Sequence, residues 1–178
     1  IVIDDNVGVN GGFAVEGLVI ERAGDVFFSG AAATLDAGSL TIGRLSPVAG
    51  DVEFDASLNV AGPVDIDTNT LTLDAALATT AGGTVTVTTA GLADLNAKIT
   101  SAGMVRFDGP ATAGIALGAD IETTGAGAAI RVDAAKLTVN VDALLKTVGG
   151  PITLDEVATD ADLTHTLTLN AGEGSVLI

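Results

Sequence analysis

The chain has 178 residues, enough for one domain with a substantial core, but 5 Phe with no Trp, Tyr or Cys exclude an aromatic-rich interior and a disulfide scaffold. Its 23 acidic residues against 7 basic give a net charge of −16, which sets the surface against nucleic acid and anionic lipid. No run of about 18 apolar residues is available to span a membrane as a helix, and 48% hydrophobic content argues against disorder.

The opening stretch IVID at 1–4 alternates like a strand, and NVGVNGG at 6–12 is turn material, where glycine supplies positive φ and asparagine tolerates it. Strand text then recurs as GDVFFSG at 24–30, GDVEFDA at 50–56 and GGTVTVTTA at 82–90. Its clearest copy is the second half of LNAKITSAGMVRFDG at 95–109, where Val105 and Phe107 point one way and Met104 and Arg106 the other. AAIRVDA at 128–134, GPITLDE at 150–156 and GSVLI at 174–178 complete the set. The leading inward residues are Val26, Val52, Val85, Val105, Ile130, Ile152 and Val176, with intervals of 26, 33, 20, 25, 22 and 24 and a mean of 25. Self-similarity at such a period is the signature of a solenoid. The 33-residue interval holds extra strand text, PVDID at 63–67 and LTLD at 71–74, and reads as a coil with a long excursion. Ile1 lies one mean period before Val26, so the chain is expected to open and close at one phase of its repeat, as a piece of a longer repeat protein.

A second signature is an apolar-polar-Ala triplet: Leu35-Asp36-Ala37, Phe54-Asp55-Ala56, Leu73-Asp74-Ala75, Leu95-Asn96-Ala97, Leu117-Gly118-Ala119, Val141-Asp142-Ala143 and Leu169-Asn170-Ala171. Leu71 and Leu73, Val85 and Val87, Leu117, Ala119 and Ile121, and Leu137, Val139 and Val141 each share a face by period-two alternation. Glycine pairs at 82–83 and 149–150 punctuate corners. Leu92, Leu95 and Ile99 have helical spacing, and DALLKTV at 142–148 has good helix formers, yet both align with strand copies and are assigned to strands. Each strand needs a neighbouring coil to bury its apolar side. The prediction is therefore an all-β fold: a right-handed parallel β-helix of about seven coils of roughly 20–33 residues, one solenoid over residues 1–178. At about 4.8 Å per coil the rod is roughly 35 Å long.

LTLNAGEGSV at 167–176, LGADIETTGAGAAIRVD at 117–133 and GDVEFDASLNVAGPVDID at 50–67 resemble the degenerate coils of filamentous haemagglutinin-like exoproteins. That resemblance covers nearly the whole chain. It implies a bacterial surface or secreted adhesin, an extracellular location, and host or cell-surface glycans or proteins as partners.

Several clusters bear on chemistry. Asp65, Asp67 and Asn69 line one side of a strand like the start of a calcium loop, but the positions for the turn glycine and bidentate Glu are Thr70 and Ala76, so a solvated outer surface is expected. Asp155, Glu156, Asp160 and Asp162 are the best calcium candidates, because acids on a loop can wrap a hard cation. His165, the sole histidine, shares parity with Leu163, Leu167 and Leu169 and points inward. Sugar-cleaving sites need clustered basic residues or paired acids with aromatic platforms. Here Arg22, Arg44, Arg106 and Arg131 are dispersed and the Phe residues fall on or near inward positions, so no catalytic residue is assigned and a polysaccharide-acting enzyme is the weaker reading. Thr70 and Thr72, Thr84, Thr86 and Thr88, and Thr164, Thr166 and Thr168 make T-x-T runs like those of ice-binding solenoids, though without their equal coils. The expected function is a non-catalytic shaft segment of an extracellular adhesin-like protein. The alternative is a filament subunit stacking end to end, with further coils or like subunits at both ends.

Overall fold

A computed structural model of the chain describes residues 1–3, 15–30, 34–110, 112–133, 136–159 and 164–178. Among these every regular element is a β-strand, and the strands pair in parallel to form a β-solenoid of about seven turns. Among the described residues no helix is long and apolar enough to cross a membrane. Leu92–Leu95, Ile99–Ser101 and Ala143–Val148, the segments with helical spacing, are all strands. Coil stacking decides against the helix there, because only an extended strand offers its backbone to the rungs above and below.

Each coil visits three faces in turn. The first face is climbed by Val2–Ile3, Val26–Phe28, Val48–Phe54, the second half of Val64–Leu73, Leu92–Leu95, Gly114–Leu117, Lys136–Val139 and Val157–Thr159. The second starts from an isolated bridge between Val15 and Ala37. It continues through Thr34–Ala37, Ser57–Val60, Leu77–Thr79, Ile99–Ser101, Ile121–Ala126, Ala143–Val148 and Leu167–Asn170. The third runs through Leu18–Ile20, Leu40–Ile42, the first half of Val64–Leu73, Val85–Thr89, Val105–Asp108, Ile130–Asp133, Ile152–Leu154 and Val176–Leu177. Because Val64–Leu73 turns a corner without a break, the first and third faces join into one 15-stranded sheet, and the second stands apart as a 7-stranded one.

Register corrects the repeat read from the sequence. Val26 and Val52 stack on Leu71, on the first face. Val85, Val105, Ile130, Ile152 and Val176 form one column with Val64, Leu40 and Leu18, on the third. The 33-residue interval is thus a change of face, with PVDID and LTLD supplying the two missing rungs. True rung spacings along the three columns are 19 to 26 residues, so no long excursion exists at that point. Ile1 and Val176 accordingly do not share a phase: Val2 pairs with Phe27 on the first face, whereas Val176 pairs with Ile152 on the third.

Inward side chains fill a continuous aliphatic interior. Val26, Val52, Val85, Val105, Ile130 and Ile152 are all fully buried, while Val176, on the last rung of its column, is 46% exposed. Four of the triplets stack at one corner, since Phe54, Leu73, Leu95 and Leu117 are register partners. Val141 breaks the pattern: Val139 is the rung partner of Leu117, and Val141 falls on the following corner, exposed instead of sharing the buried side of Leu137 and Val139. Phe28, Phe54 and Phe107 are buried, and the rings of Phe28 and Phe54 stack at 4.8 Å. Phe27 takes the outer parity and is half-buried, while Phe13 lies outside the described residues.

The corner from the second face to the third is made of hydroxyls and glycines. Thr79, Ser101, Thr123 and Thr147 are inward and buried. Burying a hydroxyl requires a partner, and each donates to a corner carbonyl: Thr79, Thr123 and Thr147 to the turn that follows, at Gly83 O (2.7 Å), Ala128 O (2.9 Å) and Gly150 O, and Ser101 back to Gly83 O of the preceding coil at 2.9 Å. Gly82 and Gly149, at the predicted corner pairs, take φ of 77° and 76°, which glycine adopts without strain.

Candidate functional site

Coil stacking assembles acids that the sequence separates. Asp55 and Asp74 follow the register partners Phe54 and Leu73, so their side chains share a corner, and Glu53 faces outward on the adjoining strand. One carboxylate oxygen from each of Glu53, Asp55 and Asp74 lies within 4.8 Å of the others, the one such trio among the described residues. Asn96, one coil further, donates from Nδ2 to Asp74 Oδ1 at 2.8 Å. Lost hydration around Glu53, followed by the charges of Asp55, Asp74 and Asp51, pushes its carboxyl above the ordinary value of 4.5. Oxygen ligands at this spacing suit a hard cation chemically, but acids at a solenoid corner also occur as bare surface. The signal in the sequence was the pair of triplets FDA and LDA, 19 residues apart, which is one coil.

A raised carboxyl pKa means the folded chain holds a proton that the unfolded chain has released. The strain at Glu53 is therefore fully present above the raised value, and it is relieved as pH falls towards 4.5. Glu53→Gln should stabilise the protein at pH 7, and the advantage should vanish below about pH 4.5. Thermal melts of both proteins across that range check it; a constant difference would show that the acids do not interact. Calcium at millimolar concentration is expected to raise the melting temperature only slightly, and a large rise abolished by Glu53→Gln would assign a cation to this corner.

The acids proposed for calcium from sequence are only partly placed. Asp155 and Glu156 are exposed at the turn between the third and first faces, where Asp155 N donates to Val132 O at 3.2 Å and Glu156 O accepts from Leu137 N at 2.9 Å. Asp160 and Asp162 lie outside the described residues. Asp65, Asp67 and Asn69 occupy outer positions of the long strand, and desolvation raises the Asp67 carboxyl. His165 is half-buried, on the same parity as the half-buried Leu167 and Leu169; Leu163 is outside the described residues.

Two of the arginines, dispersed in sequence, are neighbours in the fold. Arg106 and Arg131 are register partners on the outside of the third face. Arg106 Nε and Nη2 reach Asp133 and Asp108 at 3.0 and 2.8 Å, and Arg131 Nη2 reaches Asp133 at 3.2 Å. The network offsets the repulsion between two stacked guanidiniums and leaves both engaged in ion pairs. The threonine runs do not stack into one array: Thr86 sits between Asp65 and Arg106, and Thr72 between Glu53 and Asp94.

Concave surface is shallow. An open groove of about 400 Å³ is lined by Asp120, Asp142, Ala143, Leu144, Thr166 and Thr168. Its two acids serve the backbone: Asp120 Oδ1 accepts from Leu144 N at 2.8 Å and Asp142 Oδ1 from Thr166 N at 2.7 Å. Each carboxylate thus ties its own coil to the next. No protein-family model matches the sequence, and comparison with curated proteins and with solved structures returns no match.

Proposed function

We propose that the chain is a non-catalytic shaft segment of an extracellular, bacterial adhesin-like protein, spacing or displaying other parts of the assembly. The observation that carries this reading is the interior: three inward columns run from coil to coil in register, so bending the rod would break backbone ladders and aliphatic packing together. The outer surface supports it, since its stacked arginines are paired with Asp108 and Asp133 and the groove acids accept from backbone amides. The resemblance to haemagglutinin-like coils supports the location and suggests cell-surface glycans or proteins as partners. Antibodies to the chain are expected to label intact source cells. Labelling only after permeabilisation would overturn the surface role, and release of reducing ends from a polysaccharide panel would replace the shaft by an enzyme.

A further inference from the structure

We propose that the corner between the third and first faces is a docking groove for a lysyl side chain of a partner protein. The aliphatic stem lies on apolar walls and the ammonium meets Asp67. This stands apart from the shaft reading, since it needs only the one corner. The groove follows from loop lengths. Val64–Leu73 turns the corner without a break, and only residues 90–91 separate Val85–Thr89 from Leu92–Leu95. The coil on either side takes five residues for the same turn, 43–47 and 109–113. Two tight corners between two longer loops leave an open groove of about 250 Å³, with Pro47 on the coil before and Pro110 on the coil after.

The groove holds an acid that nothing answers. Asp67 lines it half-buried, and desolvation raises its carboxyl. Among the described residues its side chain accepts no hydrogen bond and joins no ion pair. Elsewhere Asp108 and Asp133 are paired with arginine, and Asp120 and Asp142 accept from backbone amides. A second unmet group lines the same groove. Thr68 donates its hydroxyl towards Gly50 O and Thr70 O at 3.3 and 3.0 Å. Thr89, its rung partner, is 1% exposed, and its hydroxyl is the one buried side-chain polar atom without a partner among the described residues. The surroundings are apolar: Ala49, Ala90 and the two prolines line the groove, and Leu45 and Leu92, 56% and 48% exposed, stand at the same corner. Lysine suits this combination, because its aliphatic stem covers apolar surface while its ammonium makes a polar contact. A net charge of −16 draws a basic partner in before contact, so binding should weaken as salt screens it.

The test titrates isotope-labelled protein with a blocked alanine peptide carrying one central lysine, following backbone amide shifts by NMR. Shifts are expected at Asp67, Thr88, Thr89 and Ala90, and they should shrink as salt is added. Asp67→Asn should weaken binding about tenfold or more, the usual worth of a hydrogen bond to a charged group. The same peptide acetylated on its lysine Nζ should leave these amides where they are. Thr88→Lys is the second variant: Thr88 is the rung partner of Asp67, so the chain's own ammonium should occupy the groove. That variant should melt slightly above the parent and no longer bind the peptide. Shifts scattered over the acidic surface and unchanged by Asp67→Asn would overturn the proposal, as would no shift at all. Calcium chloride producing the same localised shifts, with the same loss in Asp67→Asn, would assign the groove to a metal ion and overturn the lysyl partner.

Discussion

Val105→Asp is expected to cost about 3–5 kcal/mol, the usual penalty for leaving a buried charge without a partner. Val105 is fully buried in the middle of its column, between Val85 and Ile130, and among the described residues no basic side chain is buried in the interior around it. For a protein of this size each kcal/mol lowers the melting temperature by about 2–4 °C, so the variant should melt about 6–20 °C below the parent. Its neighbour is the control. Arg106 faces outward, and sequence parity alone predicts that changing it is nearly free. The ion pairs to Asp108 and Asp133 revise that figure upward: Arg106→Gln removes a partner from two carboxylates on an acidic surface and should cost about 1 kcal/mol. Equal melting temperatures for the two variants would show that parity along this strand is misassigned.

Val105 and Arg106 illustrate what the sequence carried. Alternation within a strand is local, so inward and outward residues were legible wherever polar and apolar side chains take turns, and the parallel solenoid followed from the recurrence. Which copy stacks on which was not legible. Val52 and Val85 begin nearly identical strands, GDVEF and GTVTV, yet sit on different faces, because each coil holds three apolar strands of similar text and only the backbone ladder distinguishes them. That ambiguity hid the sites as well. Glu53, Asp55 and Asp74 converge, and Arg106 meets Arg131, only once the coil length between them is known. The buried hydroxyls were open to detection: Ser101, Thr123 and Thr147 each stand two residues before a glycine, a spacing that marks an inward hydroxyl capping a corner. The T-x-T runs mark outward threonines instead, whereas Thr79, on the short strand between two of the runs, is the one that bonds inside the corner.

Gly83→Ala is expected to destabilise the protein more than its single added methyl group suggests. A Cβ at Gly83 would stand 2.2 Å from Gly62 O and 2.7 Å from Gly62 C, both backbone atoms of the coil below, so no side-chain rotation relieves the clash. The coil must move instead, and Gly83 is the point that can least accommodate it. Its carbonyl accepts from Gly103 N of the coil above at 2.7 Å and from the buried hydroxyls of Thr79 and Ser101 at 2.7 and 2.9 Å. Shifting it to clear Gly62 stretches all three bonds, and Thr79 and Ser101 have no water to turn to, being 4% and 0% exposed. Overpacking alone costs about 1–3 kcal/mol, and each buried hydroxyl whose bond is strained adds towards about 1 kcal/mol. The comparison is Gly24→Ala, at an exposed glycine where an added Cβ meets nothing within 4 Å. That change should be neutral or stabilise by up to about 1 kcal/mol, through lower entropy of the unfolded chain. Denaturant melts of the two variants against the parent measure the difference. A Gly83→Ala protein as stable as Gly24→Ala would mean that adjacent coils slide past one another freely at this corner, and that the glycines there do not set their spacing.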